Sequence, residues 1–186
     1  MSILDKIHKC VFCANVLPHK PRPVIAAGKT SKIVIIGQAP GRKVHETGIP
    51  WNDPSGDLLR YWMQIDKKSF YDTKKISLIP MGFCYPGKGK SGDLPPRPEC
   101  APLWHQELLS HIVKIKLIVL IGQYSQRHYL GNKATVTDNV RNYKKYLPSY
   151  FPLPHPSPRN RLWLKKNPWF ADKILPDFQN KIQSIL

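Results

Sequence analysis

The residues of this chain best equipped for chemistry lie in two stretches far apart in sequence. The first, Gly37 to Gly56, reads GQAPGRKVHETGIPWNDPSG and offers an amide (Gln38), an imidazole (His45), two carboxylates (Glu46, Asp53) and a flat aromatic (Trp51). Such a set suits a planar polar molecule, with an aromatic face to stack on it and titratable groups to move its protons. The second stretch, His155-Pro156-Ser157-Pro158-Arg159-Asn160-Arg161-Leu162-Trp163-Leu164-Lys165-Lys166, joins an imidazole to two prolines, four cations and three apolar residues. Cations contact phosphates, and a proline-stiffened loop carrying apolar residues can push into a base stack, as an enzyme that extrudes a base requires. The plainer alternative for the second stretch is a solvated basic helix start with Trp163 in the core.

Four cysteines form a third group. Cys10 and Cys13 make a C-x-x-C turn, with Cys84 and Cys100 far downstream. Two thiolates on one turn and two from elsewhere can surround a tetrahedral zinc or an iron–sulfur cluster; four unrelated thiols are the alternative.

The whole chain bears on these groups. With 29 Lys+Arg against 12 Asp+Glu over 186 residues, the net charge of +17 favours a polyanionic partner over a merely soluble basic protein. No stretch approaches the ~20 apolar residues of a membrane span, and MSILDKIHKC lacks the apolar core of a signal peptide. The expectation is a cytoplasmic protein, in the bacterial cytosol or nucleoid, where cysteines stay reduced, folded as a single domain over 1–186 and monomeric.

The elements that position the site follow from periodicity. A short N-terminal helix leads into the Cys10/Cys13 turn, and Pro18 to Pro23 runs extended. The apolar runs Lys32–Ile36, Ile76–Met81, Lys116–Ile121 and Tyr150–Leu153 read as buried strands. Helices are expected after Ser55, taken as the N-cap of a helix carrying Leu58 to Met63, and at about Pro102–Ile112, Tyr124–Leu130 and Asn167–Leu186. The Gly- and Pro-rich loop from Tyr85 to Pro98 is expected to hold no regular element. Strands alternating with helices give a three-layer α/β/α fold around a central four-stranded parallel sheet. Its strand-end loops share one rim, where Gln38, Asp53, Gly82 and His155 converge.

On these residues the chain resembles the uracil-DNA glycosylase superfamily, nearest its iron–sulfur branch. The first stretch is similar to that branch's G-E-A-P-G…G-x-P-F…G signature through Gly37, Ala39, Pro40, Gly41, Gly48, Pro50 and Gly56, with Trp51 at the base-stacking Phe. His155-Pro156-Ser157-Pro158 resembles the second motif, whose His binds the base O2 as negative charge develops there. The cysteine pattern is similar to the branch's cluster ligands, which implies a 4Fe-4S cluster on Cys10, Cys13, Cys84 and Cys100, with zinc or no metal as alternatives.

The resemblance has gaps. The signature's acid is Gln38 here, its second acidic position falls on Val44, and Ala39 stands where the best-known uracil enzymes carry Asp. Asp53 resembles, with a one-residue offset, the catalytic Asp of a broader-specificity relative and is the first choice for orienting water; His45 and Glu46 follow. The Asn expected on the second strand to read uracil falls on Pro80, which relaxes specificity or shifts it toward hypoxanthine or xanthine, unless Asn52 or the backbone at Met81 and Gly82 compensates.

The resemblance implies hydrolysis of the N-glycosidic bond in a flipped nucleotide. Asp53 and His155 are catalytic, aided by backbone at Gln38, and Trp51, Ala39 and Gly41 receive the base. Ser55, Ser157, Arg159, Asn160, Arg161 and Lys165 face the DNA. The alternatives are a fold-mate that binds damaged or single-stranded DNA without turnover, and a zinc-containing RNA-binding protein.

Overall fold

Ile33-Val34-Ile35-Ile36 has no polar side to turn toward water, so the strand it forms must be covered on both faces. The computed structural model, which describes residues 1–186, shows that arrangement. In chain order the first elements are α1 (Ile3–His8), β1 (Ile33–Gly37), α2 (Arg42–Thr47), α3 (Pro54–Met63), α4 (Lys67–Tyr71) and β2 (Ile76–Pro80). Then come β3 (Lys88–Gly89), β4 (Gly92–Asp93), α5 (Cys100–His111), β5 (Leu117–Ile121), α6 (Gly122–Leu130) and α7 (Val136–Arg141). The chain closes with β6 (Tyr150–Leu153), α8 (Arg161–Lys166) and α9 (Leu175–Ile185).

Strands β2-β1-β5-β6 form one parallel sheet, with Ile33 opposite both Ile76 and Leu117, and Ile118 opposite Tyr150. Side chains alternate across it. Ile33, Ile35, Leu78, Val119 and Phe151 pack under α3, α4, α7 and α9 through Leu59, Trp62, Phe70, Val140, Phe178 and Ile182. Val34, Ile36, Ile79 and Leu120 pack under α1 and α5 through Ile3, Ile7, Ala101 and Leu108. Fully burying each such side chain contributes about 1.5–3 kcal/mol, which is why strands with two apolar faces settle in the middle layer. Ala26 bridges antiparallel to Leu78 and covers the outer edge of β2.

The expected short N-terminal helix is present as α1, and the four long strands and three of the other four expected helices lie within two residues of the expected ends. The departures have local causes. Arg42 to Thr47 winds into α2 inside the presumed loop, a helix too short and polar for its one buried residue, Val44, to announce it. α4 and α7, each of six residues or fewer, escaped notice for the same reason. The loop between Tyr85 and Pro98 is not wholly irregular: Lys88 pairs with Asp93 and Gly89 with Gly92 in a two-residue hairpin, with glycine in both facing positions. The expected helix from Asn167 to Leu186 is interrupted. A wide π turn at Phe170–Ile174 precedes α9, because Pro176 lacks the N–H that would bond the Asp172 carbonyl and its ring crowds that carbonyl.

Candidate active site

Because the sheet is parallel, Gly37, Pro80, Ile121 and Leu153 all end on one rim, and the segments that follow them meet there. They enclose a cavity of about 460 Å³ whose wall includes Gln38, Ala39, Gly41, Trp51, Asp53, Ser55, Pro80, His155, Ser157, Arg159 and Asn160.

Trp51 is held by force. Its backbone sits at φ 57°, the left-handed region, at a cost of order 1–3 kcal/mol for a bulky residue. Its surroundings over-determine that conformation. Tyr71 donates its hydroxyl to the Pro50 carbonyl at 2.8 Å, and Arg60 donates to the Trp51 carbonyl at 3.4 Å. Arg60 is itself fixed by Asp57 at 2.5 Å and by the Phe70 ring beneath it. A Cβ on Gly56 would lie 1.8 Å from the Trp51 carbonyl oxygen, and one on Gly37 would lie 2.7 Å from the indole, so both glycines are required for the ring's position. The indole stacks on His155 with ring centroids 5.8 Å apart and planes at 29°.

His155 follows β6 directly, and Asn160 donates to its carbonyl at 2.8 Å, which closes the loop back on itself. Its Nδ1 is buried with no partner. Burial pushes its pKa below the ordinary histidine value, and Asp53 opposes that shift without reversing it. Burial thus favours the neutral imidazole.

Asp53, not Ser55, caps α3. Pro54 at the first helical position forces an extended residue before it, and Asp53 at φ −151° accepts the Gly56 amide on Oδ1 at 2.8 Å. Ser55 stands on the cavity wall instead.

Five expected site residues lie off that wall. The amides of Met81 and Gly82 donate to the carbonyls of Gly37 (2.9 Å) and Gln38 (3.0 Å), continuing the β1–β2 ladder, so neither can reach a ligand. Asn52 is not among the lining residues, and its backbone N–H donates to the Ile49 carbonyl at 3.3 Å. Arg161 and Lys165 are exposed on α8. The remaining candidates for water activation are also elsewhere: His45 packs at a tilt against His19 and Tyr85, and Glu46 pairs with Arg42 on the surface at 3.2 Å. Trp163 donates to Thr137 at 2.8 Å and packs on Trp169 and Phe170, an anchor within the fold, while Leu162 beside it is 71% exposed.

Pro80 lines the cavity, and its carbonyl is engaged by His105 Nε2 at 3.0 Å. A carbonyl only accepts, so Nε2 carries the proton and Nδ1 accepts from the Tyr129 hydroxyl at 2.6 Å. Burial holds the His105 pKa down to about 4.

The hairpin β3–β4 also contributes to the site, which periodicity does not reveal. Ser91, Gly92, Asp93 and Leu94 all line the cavity, and Arg159 donates to the Ser91 carbonyl at 3.1 Å, joining hairpin to His155 loop. The one available signal was a pair of glycines flanking Lys90-Ser91, a hairpin pattern.

All four cysteines are free and line a second, smaller cavity with Pro21, Pro23, Phe83 and Arg97. Phe83 donates its amide to the Cys100 sulfur at 3.4 Å. Burial pushes the thiols of Cys84 and Cys100 up to about 11 and about 12. No group of three or more His, Cys, Asp or Glu side chains is gathered closely enough to hold a single metal ion. No helix is long and apolar enough to cross a membrane.

A family model described as the uracil DNA glycosylase superfamily matches residues 24–179. Among solved structures, the chain is similar to a protein from Methanosarcina acetivorans, provisionally named a uracil DNA glycosylase and determined by NMR in solution. The two share 16% identity over 84% of this chain and 94% of that one, with a TM-score of 0.47.

Proposed function

The chain belongs to the uracil-DNA glycosylase superfamily, and we propose that it hydrolyses the N-glycosidic bond of uracil or a related deaminated base flipped out of DNA. The observation that carries this reading is the stacked Trp51–His155 pair, placed with Asp53 in one cavity at the strand ends. A base inside a duplex is out of reach of any hydrolytic group, so it must be extruded at a cost of a few kcal/mol. Stacking on Trp51 returns about 1–3 kcal/mol of that for any base. A neutral His155 donating a proton to the base edge costs less than an imidazolium would where the ring is buried, and it gains strength as negative charge develops on the departing base. Asp53 sets its charge against the cationic character growing on the sugar.

Pro80 offers the base an apolar wall and no donor, its carbonyl being held by His105. This supports a specificity relaxed beyond uracil, toward hypoxanthine or xanthine. Leu162, exposed on α8 beside Arg159 and Arg161, suits the wedge that fills the gap left by the base. The net charge of +17 supplies the attraction to phosphate.

The four cysteines suit a 4Fe-4S cluster. They share one largely apolar cavity. With thiol pKa values pushed so high by burial, thiolates persist there only against a cationic group. A cluster there would supply a structural tie between the N-terminal turn and the segment from Cys84 to Cys100, with no part in hydrolysis.

The second reading is a DNA-binding protein without turnover, favoured by the two non-acidic residues Gln38 and Val44 on the cavity wall. A base-release assay separates the two. Purified protein is mixed with end-labelled oligonucleotides each carrying one uracil, hypoxanthine or xanthine, and abasic sites are cleaved with alkali. Cleavage at any of the three is the expected result; none, despite tight salt-sensitive binding, favours the second reading.

A further inference from the structure

We propose that Asp93 is the general base of this site, taking the proton of the attacking water while Asp53 acts on the sugar by charge alone. The inference rests on the glycosylase reading above. Asp53 and Asp93 are the only carboxylates on the cavity wall, in a chain where acids are outnumbered more than two to one. A carboxylate aimed at a phosphate is repelled, so an acid in a DNA-binding cavity belongs to the base, the sugar or water.

The two carboxylates are not equivalent. Asp53 is locked as the cap of α3, with Oδ1 filled by the Gly56 amide at 2.8 Å, and its charge acts on His155. Asp93 is held lightly. The Tyr85 hydroxyl donates to Oδ1 at 3.3 Å, and Oδ2 has no hydrogen-bond partner and lies 3.4 Å from where a side chain on Gly41 would begin. That places it on the wall formed by the loop after β1, where Gln38, Ala39 and Val44 offer no acid of their own. The sequence position is unrelated, and the space is shared.

The hairpin that carries Asp93, itself exposed at the cavity mouth, is tied to the His155 loop. Glycine at 92, with φ 148°, lets the Arg159 guanidinium lie where a Cβ would sit 2.2 Å from Nη1, and Arg159 fastens the turn through the Ser91 carbonyl. The same loop that delivers His155 to the base therefore fixes the hairpin that delivers Asp93. In the reaction the water oxygen bonds to C1′ as the C1′–N bond breaks. The electron pair of that bond leaves with the base, and the water's proton passes to Asp93 and then to solvent.

The test is single-turnover base release on whichever oligonucleotide the wild-type protein cleaves, with Asp93→Asn, Asp93→Ala and Asp53→Asn side by side and the oligonucleotide Kd measured for each. Asp93→Asn is expected to slow release by about 10²–10⁴-fold with Kd within about twofold of wild type, and added formate should restore Asp93→Ala at least in part. Release by Asp93→Asn close to the wild-type rate overturns the assignment and leaves the glycosylase reading intact. A slow variant whose Kd weakens in proportion, with no response to formate, makes Asp93 a binding residue and also overturns it. A wild-type protein silent on all three bases removes the glycosylase reading and this inference with it.

Discussion

At the scale of single residues, the site separates roles that a sequence motif leaves merged. Asp53 has both a structural and a chemical position, and two substitutions tell them apart. Asp53→Asn keeps a side-chain oxygen for the Gly56 amide and removes the charge, so thermal stability should hold while single-turnover release falls. Asp53→Ala also removes the cap, at a cost of about 0.5–2 kcal/mol in a denaturant titration. Equal stability in the two variants would mean that the 2.8 Å bond to Gly56 contributes little. Trp51 is argued similarly. Replacement by alanine removes the stacking face, and binding of an oligonucleotide with a flipped base should weaken by about 1–3 kcal/mol, roughly five- to 150-fold in Kd. Unchanged binding would assign the indole to packing between Gly37 and the core.

At the scale of elements, the site depends on how strand ends are tied to the helices around them. The end of β2 is fastened by His105 of α5, itself oriented by Tyr129 of α6, so two helices fix the Pro80 wall. This tie is sensitive to acid. The folded His105 pKa of about 4 lies below its ordinary 6.5, so the unfolded chain takes up the proton first. The stability gained from keeping it neutral is complete above about 6.5 and is lost as the pH falls toward about 4, amounting to about 3 kcal/mol at most. Denaturant midpoints measured across this window should fall with pH in the wild type and fall less steeply in His105→Gln. Burial also lowers the pKa values of His45 and His155, which adds slope in the same sense and leaves the variant with some acid sensitivity. Parallel slopes would show that the folded His105 takes up its proton near the ordinary histidine value, contrary to its burial.

At the scale of the whole molecule, the two cavities sit at the ends of one segment. Cys84 and Cys100 bound the stretch that carries the β3–β4 hairpin, and Arg159 joins that hairpin to the His155 loop. Whatever holds the cysteines together therefore limits how far Ser91 and Asp93 can drift from the His155 loop. Protein purified without oxygen should absorb near about 400 nm, as sulfur-ligated iron does, and Cys100→Ser should lose that band along with thermal stability. A colourless protein with stoichiometric zinc would replace the cluster by a single ion.

Sequence alone determined what local chemistry can determine. Ile33 to Ile36 and Leu117 to Ile121 are apolar on both sides and could only be central strands, and Pro54 and Gly56 mark a helix start. Composition set the charge. The family resemblance picked out Trp51, His155 and the four cysteines, which the fold then brings to two cavities. Tertiary structure decided the rest, because the deciding contacts join residues with no regular spacing. The extended backbone that Pro54 imposes made Asp53 the cap in place of Ser55. Ladder bonds to Gly37 and Gln38 withdrew the amides of Met81 and Gly82. A two-residue hairpin, too short to leave a periodic signal, carried Asp93 to the wall of a loop more than forty residues earlier. Periodicity records which side of an element is apolar; which polar groups meet across a cavity depends on where the elements end, and that is settled only when the sheet and its two covering layers are packed.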